Sequence, residues 1–496
     1  MMSIQVDTIL LIFSVFSLPF AICHLAICQT LCYTSFLKML VLSEAQVRQV
    51  LTIETCLEAN RTALQSLSES STSMIAVVPT RIGIPYKGVD GNDDWTLFKP
   101  ASYVKKHCND DHDADAGANN GNDDLTLFMP ASYEYRNRSG NRSGKASPNS
   151  TPPSNRNAAE TAVLEVDNDT ETDDTTSNHL LGAKVVSVRA KNSSRNKSTV
   201  NSTVLLLDAR TGDTLAFMKS DYLTAIRTAA GSAIATELCL SHRRRCFDST
   251  FTMSSCTTDT DTSTNAAASP SSSLPLLHLV VFGAGDQAEL HIKCISFVLK
   301  TVAKVTIVNR SLGRARKLKE LLELYYSTNN TRRPQEHDSC CVEQKINCIE
   351  LNDTDNVKSV VQDADVIVTA TNTRTPLFDF SFVKKGCHIN GVGSYTPNMD
   401  EVGSSFIRNR CLTVIDTMEA LDVGDLTHLQ ASSPNYVGLV GNLLDGSVEM
   451  EEYYLRDDEY DCTFFKSVGT AIQDLLTASE VFQRAKELGI GTIVNM

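Results

Sequence analysis

The stretch Leu279-Val-Val-Phe-Gly-Ala-Gly-Asp-Gln-Ala288 constrains this chain more than any other. An apolar run leads into Gly283-x-Gly285-x-x-Ala288, and Glu289 to Leu299 then place apolar residues at helical spacing. In that order, small residues let a buried parallel strand end in a tight turn and let its backbone approach a pyrophosphate. The next helix aims its N-terminal N–H groups at the same charge. Gly283, Gly285, Asp286 and Gln287 are therefore candidate contacts of a dinucleotide cofactor. A bare glycine pattern also marks ordinary strand-to-helix turns, so the surrounding residues have to decide.

Val305-Thr-Ile-Val308 reads as a second buried strand, ending in Asn309-Arg310-Ser311 about twenty residues beyond the glycines. An acidic residue there would favour the free ribose hydroxyl of NAD. An arginine with small polar neighbours suits a 2′-phosphate, so NADP is the expected cofactor and NAD the alternative. Ala364 to Asn372 and Gly386 to Ser394 continue as buried strands with small polar ends. Ligands of doubly wound sheets lie beyond such ends, which adds Thr371, Asn372, Val392, Gly393 and Ser394 to the candidates. The fold class that follows is α/β, with a Rossmann-type doubly wound dinucleotide domain.

The chain has 496 residues, enough for more than one domain, and a net charge of -14, which leaves no basic footprint for nucleic acid. Its 15 cysteines show no paired C-x-x-C spacing, so neither a zinc site nor a disulfide framework is indicated, and no metal is expected. Residues 8–37 are apolar and contain no Asp, Glu, Lys or Arg. A signal peptide, a membrane anchor or an upstream extension all fit that stretch. The expected location is cytoplasmic, with a membrane-anchored or organellar alternative through residues 8–37.

The remaining chain divides by composition. Residues 1–38 form the apolar segment, 39–242 a first domain with a disordered insert at about 104–178, and 243–273 a low-complexity insert. Residues 274–432 form the dinucleotide domain, and 433–496 return to the first domain. Ser43-x-x-Gln46 is a capping-box signature, and Glu54 to Leu67 has a helical apolar face. Gly91 to Tyr103 is repeated as Gly121 to Tyr133, and one copy is expected to supply a structural strand. Leu181 to Val188 and Ser202 to Asp208 read as strands, Asp208 to Gly212 as a hairpin turn, and Tyr222 to Leu240 as a helix carrying Arg227. Asp111-x-Asp113-x-Asp115 has its glycine one position late and lacks the closing Glu of a calcium loop.

Together these stretches resemble the ornithine cyclodeaminase and mu-crystallin family, which includes ketimine reductases and some alanine dehydrogenases. The resemblance runs through Leu40 to Gln46, Leu127 to Ala131, Gly182 to Val186, Thr203 to Asp208 and Thr224 to Ala230. It continues through the Gly283 loop, Ala364 to Asn372, His388 to Pro397 and Phe465 to Asp474. It implies a homodimer whose first domain is α+β and binds substrate while dimerising. It also places the substrate-carboxylate arginines at Arg81 and Arg227, the active-site lysine at Lys184, a phosphate-contacting threonine at Thr199 and a nicotinamide neighbour at Val468. Arginine forks suit carboxylates, and a buried lysine can shift its pKa into the range for proton transfer. Ornithine cyclodeaminases carry Asp where Ser394 stands. The resemblance therefore favours NAD(P)H-dependent reduction of a C=N bond in a cyclic ketimine or imino acid. Conversion of ornithine to proline and ammonia is the second reading, and a non-catalytic, crystallin-like ligand-binding protein the third.

Overall fold

The structure is a computed structural model that describes residues 38–68, 74–77, 82–87, 93–105, 180–189, 192, 197–198, 200–209, 211–252, 276–330, 344–450, 452–453 and 460–495. The first half contains β1 (Lys38–Leu42), α1 (Glu44–Val50), α2 (Ile53–Gln65), β2 (Met74–Val77), β3 (Ile82–Lys87), β4 (Asp93–Lys105), β5 (Leu180–Val188), β6 (Val200–Asp208), β7 (Thr214–Lys219) and α3 (Asp221–Thr252). The second half contains β8 (Leu277–Phe282), α4 (Asp286–Leu299), β9 (Val302–Asn309), α5 (Leu312–Asn330), β10 (Lys345–Glu350), α6 (Thr354–Asp363), β11 (Val366–Thr369), β12 (His388–Gly391), α7 (Ser404–Arg410), β13 (Cys411–Ile415), β14 (Tyr436–Leu439), α8 (Val440–Leu444) and β15 (Cys462–Lys466). The chain closes with α9 (Ala471–Leu488) and β16 (Thr492–Asn495).

Strands β8 to β15 build one eight-stranded sheet in the order β10-β9-β8-β11-β12-β15-β13-β14, with every pairing parallel. Strands β8, β11, β12, β13 and β15 are buried at nearly every residue, as a sheet covered on both faces requires. Their carboxyl ends therefore share one edge. The expected boundary at residue 432 falls inside this sheet, since β14 and β15 both lie beyond it. The chain returns to the first half only with α9.

The other sheet runs β16-β1-β7-β6-β5-β4-β2, with β3 also paired to β4. Alternation puts Leu40, Leu42, Val204, Leu206, Ala216 and Met218 on the face packed against helices. Ser43 and Gln46 form the expected capping box, reciprocally satisfying helix-start N–H groups. Of the duplicated segment, the first copy forms β4, antiparallel to β3 and β5. The second copy, where the family resemblance lies, is outside the described residues, as are residues 8–37 and the Asp111 to Asp115 pattern. Helix α3 runs to Thr252, past the expected end at Leu240 and into the stretch read as a low-complexity insert. Among the described residues no helix is long and apolar enough to cross a membrane, and no metal-binding cluster occurs.

Helix α3 joins the two halves by packing along α4. On that seam His291 Nε2 meets Ser232 Oγ at 3.0 Å, and Asn390 donates to Thr236 Oγ1 at 2.9 Å. Both partners are buried, so these bonds replace water that the seam excludes.

Candidate active site

A cleft of about 300 Å³ opens where the parallel strands end. Its lining includes Gly283, Ala284 and Gly285 after β8, Asn309, Arg310 and Arg314 after β9, and Ala370 to Thr373 after β11. This is the edge where doubly wound sheets take ligands. Gly283 has φ +119, and a Cβ there would lie 2.6 Å from the Ala370 carbonyl oxygen, so only glycine fits the crossing. A Cβ at Gly285 would meet nothing within 4 Å, which leaves an open approach to the start of α4. Gly285 caps α4 without a side-chain hydrogen bond, so the helix's first N–H groups remain available to an anion. Those features fit a dinucleotide pyrophosphate.

Of the expected cofactor contacts, Gly283, Gly285, Asn309, Arg310, Thr371 and Asn372 line this cleft together. Asp286, Gln287, Ser311, Val392, Gly393, Ser394 and Val468 lie outside its lining. Asp286 and Ser311 are exposed, and the Ser311 hydroxyl accepts weakly from the Arg314 N–H at 3.4 Å at the start of α5. Ser394 is fully buried, and its hydroxyl is engaged by the Asp425 carboxylate and the Lys466 ammonium. Burial thus turns Ser394 inward, although its position at a strand end suggests that it faces a ligand. Arg81 and Thr199 are outside the described residues. Sequence reasoning misses Arg314, although a second arginine one helical turn after Arg310 is a readable sign.

A second constellation lies in the first half. Lys184, in the middle of β5, points to the helix-covered face and is 1% exposed; Arg227, on α3, is 3% exposed. Both reach the same carboxylate oxygen of Asp474, in the first turn of α9: Lys184 Nζ donates at 2.8 Å and Arg227 Nε at 2.9 Å. The Lys184 pKa is lowered to about 8: burial pulls it down most, the Asp474 carboxylate pulls it partly back up, and the Arg227 charge pushes it down. Arg227 Nη1 is buried without a hydrogen-bond partner among the described residues. With Lys184 protonated, two cations face one carboxylate, so the cluster carries a net positive charge and an unspent donor. A substrate carboxylate would satisfy both.

The segment Ser467 to Thr470 connects cleft edge and cluster. It leaves the carboxyl end of β15 and turns at Gly469, whose φ is +73. A Cβ on Gly469 would fall 1.8 Å from Arg227 Nη1, so the backbone lies directly against the guanidinium. Asp416, after β13, accepts the N–H groups of Val468 at 2.9 Å and Gly469 at 2.6 Å, which fixes that turn. Thr470 and Gln473 then form a capping box that starts α9 and aims Asp474 at Lys184. Sequence reasoning misses Asp474 too. A capping box at Thr470-x-x-Gln473 with an acid in the next position is its only local sign.

Fold and site together define a two-part dinucleotide-binding protein of the dehydrogenase type, with a buried cationic cluster beside the cofactor edge. Residues 168–243 and 268–489 match the ornithine cyclodeaminase/mu-crystallin family, and the chain belongs to that family. A Delta(1)-pyrroline-2-carboxylate reductase of Bacillus cereus is 29% identical over 318 residues, covering 63% of this chain and 79% of the relative. An uncharacterised cyclodeaminase of Dictyostelium discoideum is 29% identical over 329 residues, covering 64% and 78%. Among solved structures, Delta(1)-pyrroline-2-carboxylate reductase of Thermococcus litoralis with NADH and L-proline shares the fold. It has TM-score 0.58 and 19% identity, and the match covers 92% of this chain and 100% of that one. Iminosuccinate reductase of Paracoccus denitrificans with NAD+ has TM-score 0.55 and 18% identity, covering 92% and 100%.

Proposed function

We propose that this protein is an NAD(P)H-dependent imine reductase acting on a small cyclic imino acid, with Δ1-pyrroline-2-carboxylate as the reference substrate. The observation that carries this reading is the unspent Nη1 of buried Arg227 beside Lys184. That arrangement takes a carboxylate and holds a titratable proton next to it. Bacillus reductases of that name are among the relatives, and this supports the choice of substrate.

The Gly283–Gly285 turn and the start of α4 would hold the dinucleotide, which when bound would supply a hydride for the imine carbon. Arg227 binds the carboxylate, and Arg81 is proposed as its companion. Lys184 delivers the proton to nitrogen, so the C=N bond becomes CH–NH with one hydride and one proton consumed. Asp474 orients both cations. The proposed cofactor is NADP, from Arg310 and Arg314 at the β9 end, with NAD the alternative. Thr199 remains a proposed phosphate contact.

A homodimer is proposed through the face of the β1-β7-β6-β5 sheet opposite Lys184, where the described residues stay partly exposed. Val41, Phe217, Leu205 and Ala183 form one cross-strand row there, and Phe217 is 46% exposed. A second copy would cover this apolar row.

Two parallel assays of the full chain test the reading. One follows NADPH and NADH oxidation with Δ1-pyrroline-2-carboxylate. The other contains NAD and L-ornithine, with ammonia and proline measured. Reduction in the first without proline in the second is expected. Proline and ammonia from ornithine would replace this reading with a cyclodeaminase, and dinucleotide binding without turnover in either would favour a ligand-binding protein.

A further inference from the structure

One carboxylate closes the ends of two adjacent parallel strands. Glu401 is fully buried, and its Oε1 accepts the Thr371 N–H at 2.7 Å and the Thr371 hydroxyl at 2.5 Å. Its Oε2 accepts the Gly393 N–H at 2.8 Å. Thr371 follows β11 and lines the cleft, whereas Gly393 follows β12. The two backbones touch there, because a Cβ on Gly393 would fall 1.8 Å from the Thr371 carbonyl oxygen. No side chain could fill that contact, and the carboxylate spans it from behind.

Glu401 is itself held. Asp425 Oδ1 accepts the Glu401 N–H at 2.6 Å and the Val402 N–H at 3.0 Å. The other Asp425 oxygen takes the Ser394 hydroxyl, and Lys466 Nζ at 3.2 Å. Lys466, also fully buried, donates to the Ser394 carbonyl oxygen at 2.5 Å. A buried lysine thus offsets the carboxylates, and both Glu401 oxygens face hydrogen-bond donors. Burial raises the Glu401 pKa, while the Thr371 donors favour the charged form. None of these groups belongs to the Lys184 cluster.

We propose that Glu401 is a positioning residue for the dinucleotide, locking Thr371, in the wall of the cleft, against the Gly393 turn that lies outside it. The inference rests on the reading that the cleft takes the cofactor. Its consequence is specific: loss of the clamp weakens cofactor binding and leaves the chemical step intact. A glutamine at 401 keeps shape and volume but turns an NH2 toward one of the amide donors, donor against donor.

The test measures NADPH and NADH affinity by calorimetry, and steady-state kinetics, for the full-length wild type and Glu401→Gln. The expected result is a rise of about tenfold in dinucleotide Kd and KM, the scale of one lost charge-assisted hydrogen bond, with kcat and imino-acid KM within about twofold. Unchanged dinucleotide Kd, or a fall in kcat with dinucleotide KM unchanged, overturns the proposal. If Glu401→Gln does not fold, Glu401→Asp decides: it keeps the charge but draws the carboxylate back by one methylene from the Thr371 and Gly393 N–H groups, without altering any residue that lines the cleft. A rise of about threefold or more in dinucleotide Kd is then expected, and no rise overturns the proposal. A wild type that binds no dinucleotide would instead sink the reading of the cleft itself.

Discussion

Lys184 and Asp474, 290 positions apart in sequence, form a 2.8 Å ion pair with both side chains almost wholly buried. The pair brings β5 and the start of α9 together, and Arg227 joins it from α3. In the proposed mechanism Lys184 is the proton donor, and its pKa is lowered to about 8, with burial the largest cause. Because its proton is present below that value and lost above it, a step that uses Lys184 as acid is fast below pH 8 and declines as pH rises through it. The pH profile of kcat should show this descending limb. A profile that stays flat well above pH 8 would remove Lys184 from proton transfer.

Asp474→Asn keeps the shape and removes the charge that holds the lysine pKa up. The descending limb should then move to lower pH, and every tenfold gain in lysine acidity should cost about tenfold in rate on that limb. A limb left where the wild type has it would separate Asp474 from the lysine's titration. Lys184→Met should lower kcat about 10²- to 10⁴-fold while dinucleotide affinity stays as in the wild type. Equal losses in both quantities would mean that Lys184 is structural.

Gly469 is the position where backbone and guanidinium meet. Gly469→Ala places a methyl against Arg227 in a backbone conformation that L residues rarely adopt. Stability should fall by about 1–3 kcal/mol. Displacement of Arg227 should raise imino-acid KM more than dinucleotide KM. Thermal melts and separate KM determinations check both, and an unchanged imino-acid KM would contradict the placement of Arg227 at the carboxylate.

Arg310 and Arg314 both line the cleft at the end of β9. Replacing both by alanine should weaken NADPH by about 10- to 100-fold, as lost charged contacts do, and leave NADH within about threefold. A parallel loss for both dinucleotides would place the arginines on the pyrophosphate and remove the case for NADP.

Ser394→Asp would set a second carboxylate against Asp425 in a site with no exposure. We expect destabilisation of about 1–3 kcal/mol, partly relieved by Lys466, and no ornithine-dependent proline formation. A melt and a proline assay on this variant decide it. Gain of proline formation would restore Ser394 to the ligand-facing role expected from sequence.

The local signals are legible because they depend on neighbours along the chain. Gly283 and Gly285 announce the turn, Ser43 and Gln46 the cap, and the apolar runs of β8 and β9 the parallel sheet. Lys184 and Arg227 emerge from family resemblance, not from spacing. What stays hidden depends on pairing across distance. Asp474, Glu401 and Asp425 look like ordinary acidic residues until the fold buries them beside Lys184, Thr371 and Lys466. Ser394 shows the converse: its strand-end position reads as ligand-facing, and only three-dimensional packing shows its hydroxyl turned to a buried carboxylate. A domain boundary at residue 432 falls too early because β15 enters the sheet between β12 and β13, an order that no run of sequence encodes locally.

The most direct measurement follows the reacting hydrogen. Full-length protein is incubated with NADPH carrying deuterium at the transferable C4 position and with Δ1-pyrroline-2-carboxylate, and the product is analysed by mass spectrometry and NMR. Proline bearing one deuterium at Cα, formed in step with NADPH oxidation and suppressed in Lys184→Met, is the expected result. No reduced imino acid, or a label found anywhere but Cα, would contradict hydride transfer to a substrate held by Arg227 beside Lys184.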